Sequence, residues 1–371
     1  MDFSLSFEQA RLQDGARKLM AAKLSSEQIR LAEKSEHGFP TDVWAEGRNL
    51  GWPALMISEA HGGDGCSLLD MCVLLEEVGR GGASLPLLYS SGLAATILQN
   101  CDRGDKRDAA LSAIASGSVV IPALIDEGAR NEWDQVSTRI EENHGGYRIT
   151  GFKVMVPYAS YAHEFVVTAI DDAGLLRLVL VDPALEGLTI KPHRSNAGVP
   201  TFSVHFSDVD INADKVIGSG DKAAVALGSG LNVGALLATA EAVGMCEAMI
   251  ALSSDYASVR EAFGKPIGAF QAVSHLCSEM RVSTDTVRML VHSAAWQDDH
   301  GASALEEIHS TKAVANELFE RLSNDAFRVH GAIGFSNEYK LQSFLRRMQW
   351  FMHSLGETTE LYERASSALG M

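Results

Sequence analysis

The stretch that decides the fold runs from Asp255 to Glu279 and reads DYASVREAFGKPIGAFQAVSHLCSE. Residues at helical spacing lead up to Arg260, and the pair Lys265-Pro266 then breaks the pattern. Helical spacing resumes at Gln271. The pattern predicts two helices joined by a tight, basic turn.

The residues of this turn have the chemistry of a small anion site. Arg260 and Lys265 place positive charge beside Gly264, which leaves its backbone bare. Phe263 adds an apolar wall, and Gln271 adds an amide that both donates and accepts. A pyrophosphate attached to an aromatic ring would fit such a place. The alternative is a surface helix hairpin whose basic side chains are only solvated, and the residues alone leave both interpretations open.

The amino-acid composition limits which class of protein this chain can belong to. The chain has 371 residues, of which 46% are hydrophobic, so it is globular and long enough for two or three subdomains. Lys and Arg number 31 against 48 Asp and Glu, which gives a net charge of -17. This charge argues against nucleic acid or an anionic membrane as the main partner, so any polyanionic ligand must be held locally.

Cysteine usage and the N-terminus point to a reducing compartment. The five cysteines are scattered without CxxC spacing, so we expect neither disulfides nor a zinc site. The N-terminus is a charged amphipathic pattern instead of a signal peptide, and we expect no segment of transmembrane length. The expected location is the cytoplasm. The cysteines are Cys66, Cys72, Cys101, Cys246 and Cys277.

The hydrophobic period changes twice along the chain. From Ser6 to about Ala115 the period is that of a helix. From Ser118 it is close to two residues, as in a strand, and after Gly218 it is helical again. We therefore predict a multidomain α+β protein with an N-terminal helical domain (1–117), a middle antiparallel β-barrel (118–218) and a C-terminal four-helix bundle (219–371). The predicted bundle helices are Leu231–Val259, Gln271–Asp298, Leu305–Val329 and Asn337–Ala368, with a glycine-bearing turn, His330–Phe335, before the last.

Other patterns carry little chemical signal. The glycine-rich loop 58–65 lacks the Lys-Ser of a phosphate loop, so we do not expect it to bind a nucleotide. The dispersed histidines lack the spacing of a metal face, and we expect structural roles for His61, His193, His205 and His275. Arg346 and Arg347 either pair with acidic neighbours, which we expect, or meet the phosphate of a ligand.

Five stretches together resemble the acyl-CoA dehydrogenase family over nearly the whole chain. Residues 241–280 resemble the first two bundle helices of that family, and RVHGAIGFSNEYKLQSFLRRMQW (328–350) resembles its glycine turn and final helix. ITGFKVMVPYASYAHEFVVTA (149–169) resembles its middle-domain strand pair, and FSDVDINADKVIG (206–218) its exit strand. LMISEAHGGDGCSLLDMCVLLEEVGR (55–80) resembles its N-terminal domain.

The resemblance implies a fold, a cofactor and a reaction. Members bind FAD and oxidise the Cα–Cβ bond of an acyl-CoA thioester: a glutamate removes the α-proton while the β-hydrogen leaves as hydride to the flavin. The FAD spans a subunit interface, and one group of contacts, from the neighbouring bundle, holds the adenosine and pyrophosphate. By resemblance this cofactor-binding group is Arg260, Phe263, Gln271, His330, Gly331 and Gly334.

The group that cradles the flavin ring departs from the family pattern. The usual Thr-Glu-Pro-x-x-Gly-Ser-Asp run corresponds to 124–131, LIDEGARN, which lacks the Thr and the Gly-Ser pair. The next strand usually carries a Trp and a Thr against the flavin, where this chain has VMVP at 154–157. We interpret Asp126 and Glu127 as loop carboxylates instead of acid or base groups.

The catalytic base is missing at both positions that the family uses. Alignment on the last helix places Gly356 at one of them, and counting back from Arg260 places Gly234 at the other. Glu357 is one residue from the first position, which on a helix is a rotation of about 100°. Glu357 is thus either a displaced base or a capping or solvated carboxylate, and Glu360 and Glu241 are weaker candidates.

Three functions follow from these departures. The first is a subunit of a heteromeric α2β2 acyl-CoA dehydrogenase, which resembles the short, base-lacking subunits of bacterial steroid-degrading enzymes; FLRRMQWFMHSLGE (344–357) looks like their Leu-Arg-Arg and Gly-Asp pattern. The second is a self-sufficient homo-oligomeric flavoenzyme with a displaced base. The third is a flavin-free scaffold or CoA-ester binding protein. An electron-transfer flavoprotein is the expected acceptor of an active enzyme.

Overall fold

The element order follows the two predicted changes of period. A computed structural model describes residues 4–128 and 136–370. Helices come first, strands follow from residue 123, and helices return at residue 220. The proposed domain boundaries themselves stay predictions. The N-terminal helices are α1 (Phe7–Lys23), α2 (Ser26–Glu33), α3 (Thr41–Asn49), α4 (Leu68–Gly81), a π-helical segment (Leu88–Ala94), α5 (Ala95–Asn100) and α6 (Asp105–Ala115).

Local capping sets where the N-terminal helices begin. The Ser6 hydroxyl accepts from the backbone of Gln9, whose side chain accepts from the backbone of Ser6 in return. Ser67 and Asp70 make the same reciprocal pair at the start of α4. Such pairs satisfy two of the four free N–H groups at a helix start. Most of α4 is buried, so this helix lies in the core.

The middle region is a mixed sheet rather than a wholly antiparallel barrel. The pairing path runs β6-β7-β3-β2-β4-β5-β8, and β1 pairs with β4. Most pairs are antiparallel as predicted, but β1 and β2 each run parallel to β4. The strands are β1 (Ala123–Leu124), β2 (Arg139–Asn143), β3 (Gly146–Pro157), β4 (Phe165–Ile170), β5 (Leu176–Val181), β6 (Leu188–Pro192), β7 (Thr201–Ile211) and β8 (Val216–Ser219).

Two hydrophobic cores hold these parts together. One core lies within the sheet and includes Phe165, Val204 and Val209. Along β7 the buried residues Val204 and Phe206 alternate with exposed residues, whereas β4 is buried on both faces. The other runs without interruption from the N-terminal helices into the C-terminal ones. The two helical regions therefore share one core although the sheet separates them in sequence.

The C-terminal helices match the prediction except at two places. The first begins eleven residues earlier than predicted, and the last is divided in two. The elements are α7 (Gly220–Val259), β9 (Glu261–Ala262), β10 (Lys265–Pro266), α8 (Gln271–Asp299), α9 (Leu305–His330), α10 (Leu341–His353) and α11 (Thr358–Ala368).

The division of the last helix occurs at a tight turn. Leu355 has φ 57° and Gly356 has φ 115°, both outside the helical region. Polar side chains of α9 bind the backbone of this turn. Lys312 Nζ donates to the Phe351 carbonyl at 2.8 Å, and Asn316 Nδ2 to the Gly356 carbonyl at 3.4 Å. The predicted single helix over 337–368 is wrong because contacts from another helix stabilise the break.

The helix α7 corrects a second expectation. It is long and apolar enough to cross a membrane, with a mean hydropathy of 1.6 over its most apolar window. However, 72% of that window is buried inside the protein. The prediction that no segment reaches transmembrane length is wrong for α7, since the central helix of a protein core meets the same criterion as a membrane span.

Two glycines allow α7 to cross α4 at very close range. A Cβ atom placed on Gly244 would lie 1.7 Å from the Glu76 carbonyl oxygen of α4. A Cβ atom on Gly79 would lie 1.9 Å from the Glu241 carbonyl oxygen of α7. Both helices therefore present bare backbone to each other, which fixes their separation.

The hairpin between α7 and α8 has the tight turn that the sequence predicts. Lys265 pairs with Ala262 across it, so Phe263 and Gly264 form a two-residue loop. Their φ angles are 53° and 81°, as a type I′ turn requires. Glycine adopts this conformation freely, whereas a phenylalanine there is unusual.

Candidate active site

A cavity of about 460 Å³ lies between the sheet and the helices that follow it. Small-molecule sites commonly have volumes of about 300 to 1,000 Å³, so this cavity is large enough for a ligand. The residues lining it are Tyr89, Leu93, Ala123, Ile125, Asp126, Gly128, Val154, Met155, Val156, Pro157, Ser195, Ala197, Leu231, Gln349, Trp350, His353, Ser354, Leu355 and Glu357.

A bulge in β3 shapes the sheet wall of the cavity. The pairing of β3 with β7 shifts register between Lys153 and Val156, and Met155 has φ 52°. An added residue of this kind re-aims side chains, and bulges often lie next to active sites. The bulge presents Met155 to the cavity, and Pro157 follows at the strand end. A thioether and a proline ring thus stand where the family pattern has an indole and a hydroxyl.

Asp126 is the carboxylate on the sheet wall. Its Oδ1 atom is buried and makes no hydrogen bond. Burial raises the pKa of this carboxyl to about 6, and Glu360 raises it further while Lys153 lowers it. Asp126 is therefore mostly ionised at pH 7 and becomes about half protonated near pH 6, where its protonated form can donate a hydrogen bond.

The loop that carries Asp126 is held by a buried ion pair. Lys153 is fully buried, and its Nζ atom donates to Glu127 and, at 2.7 Å, to the Thr168 hydroxyl. Burial lowers the pKa of Lys153 to about 8, although the Glu127 charge opposes this shift. Glu127 also accepts from the backbone of Ser137 and Thr138. This supports a structural role for Glu127, while Asp126 faces the cavity.

Neither base position has room for a side chain. A Cβ atom on Gly234 would lie 2.8 Å from Leu93 Cδ1 and 3.5 Å from Leu355 Cδ1. A Cβ atom on Gly356 would lie 2.7 Å from Leu361 Cδ2, at a φ angle that side chains rarely adopt. The space that a base would need is therefore filled by leucine side chains.

The displaced-base candidate Glu357 and the two weaker candidates, Glu360 and Glu241, lie in different environments. Glu357 is exposed at the rim of the cavity, at the first position before α11, and its side chain makes no capping hydrogen bond. Glu360 pairs with Arg364 at 2.6 Å. Glu241 pairs with Arg347 at 2.5 Å behind the cavity wall. Of the three, only Glu357 lines the cavity.

The turn before Glu357 depends on a buried lysine that the sequence analysis missed. Lys312 donates to Asn316 Oδ1 at 2.6 Å as well as to the Phe351 carbonyl, and its Nζ atom lies 3.8 Å from the Phe351 ring centroid. Burial lowers its pKa well below the usual value. The available signal was a Lys and an Asn four residues apart on an otherwise apolar face of α9.

The six predicted cofactor-binding residues lie away from this cavity. None of them lines it. Arg260, Phe263, Gln271 and Gly331 are exposed, whereas His330 and Gly334 are buried. Four of them are thus open to a neighbouring molecule.

A tyrosine brings the hairpin and the glycine turn together. Tyr256, on the last turn of α7, stacks on His330 with ring centroids 4.8 Å apart. His330 Nδ1 lies 2.8 Å from the Ala326 carbonyl, so that nitrogen carries the proton and donates. The other ring nitrogen is buried and makes no hydrogen bond. Arg260 and the turn at Gly331 therefore belong to one surface, and Tyr256 is the residue that sequence reasoning missed.

Several other polar residues that the sequence draws attention to have local partners. His61 contacts Ser58 and Asp108, and His205 stacks on Phe152. Arg346 pairs with Glu33 at 2.8 Å, which, with the Arg347 pair, confirms the predicted pairing of both arginines. Within residues 4–128 and 136–370, no three His, Cys, Asp or Glu side chains are placed to hold a metal ion. All five cysteines are free thiols.

Comparison with known proteins identifies the family. The acyl-CoA dehydrogenase N-terminal domain matches residues 6–118, and the acyl-CoA dehydrogenase C-terminal domain matches residues 223–361. The chain belongs to the acyl-CoA dehydrogenase family, as the resemblance predicted, and the predicted fold class is confirmed. The family reaction makes it an oxidoreductase that acts on CH–CH bonds.

Individual relatives are distant but match over the full length. A probable acyl-CoA dehydrogenase, YngJ of Bacillus subtilis, is 27% identical over 98% of both chains. A chain of the ChsE4-ChsE5 complex of Mycobacterium tuberculosis is 23% identical and has a TM-score of 0.91. The match covers 100% of this chain and 99% of the chain in that complex. PigA, solved with FAD and proline, is 22% identical with a TM-score of 0.92 and the same coverage. FAD is thereby confirmed as the cofactor of this fold.

The two halves of an FAD site differ in how well they fit the cofactor. On the adenine side, nothing lies within 4 Å of a Cβ placed on Gly264 or Gly331, so the backbone is open to a ligand beside Arg260. On the flavin side, Met155 and Pro157 offer no hydroxyl, and Asp126 offers a carboxyl. The predicted correspondence at Ala129–Asn131 lies outside the described residues. The hairpin therefore has open backbone beside a positive charge, while the described residues at 124–128 and 154–157 include neither a hydroxyl nor an indole side chain.

Proposed function

We propose that this chain is one subunit of a heteromeric FAD-dependent acyl-CoA dehydrogenase, and that it contributes the adenine-side half of the FAD site to a partner dehydrogenase subunit. The observation that carries the proposal is the contrast between the two ends of the bundle. Leucine side chains fill the space around Gly234 and Gly356, whereas the hairpin with Arg260 is intact and exposed. A chain that had lost its base but kept the hairpin would still serve a neighbour.

The conformation of Phe263 supports a contact with another subunit. This side chain is 97% exposed, although it occupies a backbone conformation that is strained for phenylalanine. Val259 and Phe335 nearby are also largely exposed. Exposed apolar groups clustered beside a charged residue are typical of a protein interface. A neighbouring subunit that covers Phe263 would offset both the exposure and the strain.

A second exposed surface runs along α8. Val282, Met289 and Trp296 are exposed and lie seven residues apart, so they form one stripe on the helix. A helix of a single isolated chain would normally place such a stripe in its own core. The stripe therefore supports assembly through α8, next to the hairpin at the start of the same helix.

The proposed division of labour follows from the chemistry. A carboxylate of the partner would remove the α-proton, and FAD, when bound, would supply the acceptor for the β-hydrogen as hydride. In this chain the Arg260 guanidinium balances pyrophosphate charge, and the bare backbone at Gly264 allows close approach. These contacts raise cofactor affinity without touching the reacting atoms.

The test is flavin content. The chain is expressed alone and together with a dehydrogenase-like partner subunit, and the flavin absorbance per protein is measured after purification. We expect a yellow, active complex and a colourless single chain. Arg260→Ala should lower the flavin content of the complex, whereas Arg103→Ala, which removes an exposed charge in the loop before α6, should not. Yellow, active protein from the chain alone, or full FAD retention in the Arg260 variant, would contradict the proposal.

A second candidate function is a self-sufficient homo-oligomer with Glu357 as a displaced base. The position of Glu357 at the cavity rim, free of any capping bond, favours this alternative. It requires about one FAD per chain and bleaching of the flavin by an acyl-CoA. Glu357→Gln should then abolish bleaching with FAD still bound, while the matched variant Glu360→Gln should retain it. Unchanged turnover in Glu357→Gln excludes this residue as the base. Protein that stays colourless in every preparation would instead favour a flavin-free role.

We also propose the cytoplasm as the compartment and an electron-transfer flavoprotein as the electron acceptor. The scattered free cysteines are consistent with a reducing compartment, and the net charge of -17 is compatible with docking a second flavoprotein. Reoxidation of the substrate-reduced complex by a purified electron-transfer flavoprotein tests the acceptor. Failure to reoxidise, with an artificial dye still active, would exclude it.

A further inference from the structure

Arg347, on α10, has hydrogen-bonding capacity that the protein does not use. Its side chain is only 3% exposed, and its Nη2 atom donates to Glu241 on α7. Its Nε and Nη1 atoms are also buried but make no hydrogen bond. A buried donor without an acceptor is destabilising, so an acceptor beside these atoms would be stabilising.

A small space lies directly against the guanidinium group. A cavity of about 20 Å³ is bounded by Ser84, Tyr89, Glu241, Arg347, Trp350 and Ser354, together with apolar side chains. A space of roughly 10 to 15 Å³ holds one water-sized group, so this cavity has room for a single oxygen atom. The size and the free donors thus match one oxygen acceptor.

This small cavity adjoins the inner side of the 460 Å³ cavity. Tyr89, Trp350 and Ser354 line both spaces. Trp350 Nε1 donates to the Tyr89 hydroxyl at 2.7 Å, so a hydrogen-bonded pair of side chains forms part of the lining that the two spaces share. A ligand that fills the larger cavity can therefore present its inner end to this boundary.

The charge of the site selects the kind of acceptor. The Glu241 carboxylate already balances the Arg347 charge within the buried pair. A ligand carboxylate would place a second negative charge beside Glu241, which burial makes costly. A ketone or a hydroxyl accepts hydrogen bonds without adding charge. The surroundings of Arg347 therefore favour an uncharged oxygen.

We propose that this chain binds an acyl group whose far end carries an uncharged oxygen, a ketone or a hydroxyl, which accepts hydrogen bonds from Nε and Nη1 of Arg347. The proposal rests on the acyl-CoA substrate class of the proposed function, but not on the heteromeric assembly. It makes Arg347 a specificity-determining residue and Glu241 the residue that rejects carboxylate-ended chains.

The test measures thioester binding by calorimetry, with the full chain alone and in its complex. The probes are saturated acyl-CoAs of six to twelve carbons, counterparts with a ketone on the penultimate carbon, and counterparts that end in a carboxylate. At the chain length that reaches Arg347, we expect the ketone to tighten binding about tenfold over the saturated chain. The carboxylate should bind no better than the saturated chain.

Two variants keep the inference separate from folding defects. Arg347→Lys retains the charge opposite Glu241 but loses the guanidinium fork, so the preference for the ketone should fall several-fold. Glu241→Gln retains the Arg347 donors, so the ketone preference should persist while the carboxylate-ended probes gain affinity. A purely structural pair would not change ligand preference in this way.

Three results would overturn the inference. The first is equal wild-type affinity for ketone and saturated probes at every length, which would assign the small cavity to a buried water. The second is tighter wild-type binding of the carboxylate probes. The third is no thioester binding in either preparation. All three leave the heteromeric assignment untouched, because that is measured separately by the flavin content of the Arg260→Ala complex.

Discussion

Replacement of Gly244 by alanine tests the packing on which the site depends. This residue lies where α7 crosses α4, and α7 also carries Leu231 and Gly234 and ends just before Arg260. An added Cβ atom would meet the Glu76 carbonyl oxygen at 1.7 Å, whereas ordinary contacts lie at 3.4 to 4 Å. The obstructing atom is helix backbone, which cannot rotate away as a flexible side chain could.

The magnitude follows from two opposing effects. Overpacking of a core costs about 1 to 3 kcal/mol and sometimes more, because side chains and backbone must shift. Replacement of glycine by alanine inside a helix stabilises the folded protein by about 0.5 to 1 kcal/mol. Since the two helices must separate by more than 1 Å to clear the contact, the cost is at the upper end. We therefore expect Gly244→Ala to lower the free energy of unfolding by roughly 2 to 3 kcal/mol.

The matched control is Gly228→Ala in the same helix. Nothing lies within 4 Å of a Cβ atom at Gly228, so only the helix-propensity gain of about 0.5 to 1 kcal/mol remains. Urea unfolding at equal protein concentration measures both variants. A Gly244 variant as stable as the wild type, or an equal loss in the Gly228 variant, would refute the account of the α4–α7 crossing.

Two further outcomes concern buried titratable groups. Burial lowers the pKa of both His292 and His309 to about 4. Between pH 6.5 and 4 these side chains therefore stay largely neutral in the folded protein, whereas they take up protons in the unfolded chain. The free energy of unfolding should fall by about 2 to 3 kcal/mol per histidine as the pH drops from 6.5 to 4. In urea unfolding across this pH range, His309→Gln should lose less stability than the wild type, and the variant of the exposed His205, His205→Gln, should lose as much as the wild type. Identical pH dependence in the wild type and both variants would exclude protonation of His309 as a cause. Lys153→Met should cost about 3 to 5 kcal/mol, because it leaves Glu127 buried without its partner. The double variant with Glu127→Gln should recover much of that loss in denaturant unfolding, and a single variant within 1 kcal/mol of wild type would contradict a stabilising role for the pair.

Much of the fold could be predicted because hydrophobic period reports secondary structure locally. The helices α8 and α9 match their predicted bounds within one residue. The strand β2, Arg139–Asn143, has no local strand signal, because its sequence, RIEEN, is polar and lacks the β-branched run that marks a strand. It forms because it pairs with β3 through five residue pairs, so tertiary pairing overrides its composition.

The residues of the candidate site likewise divide into those that a local sequence pattern locates and those that only the folded structure brings together. The hairpin residues could be located from the sequence because the turn and the two helices on either side of it follow one another directly in the chain. Tyr256 and Lys312 were missed because their partners, His330 and Phe351, lie 74 and 39 residues away. No local pattern encodes such distances.

By itself, the sequence determined that both base positions lack a carboxylate and that the hairpin around Arg260 is retained, since a residue's identity is a local property. Only the tertiary structure decided that leucine side chains fill the space at Gly234 and Gly356, and that Arg347 keeps two buried donors without acceptors. The physical reason is that free space and unpaired polar atoms arise from the packing of segments far apart in the chain.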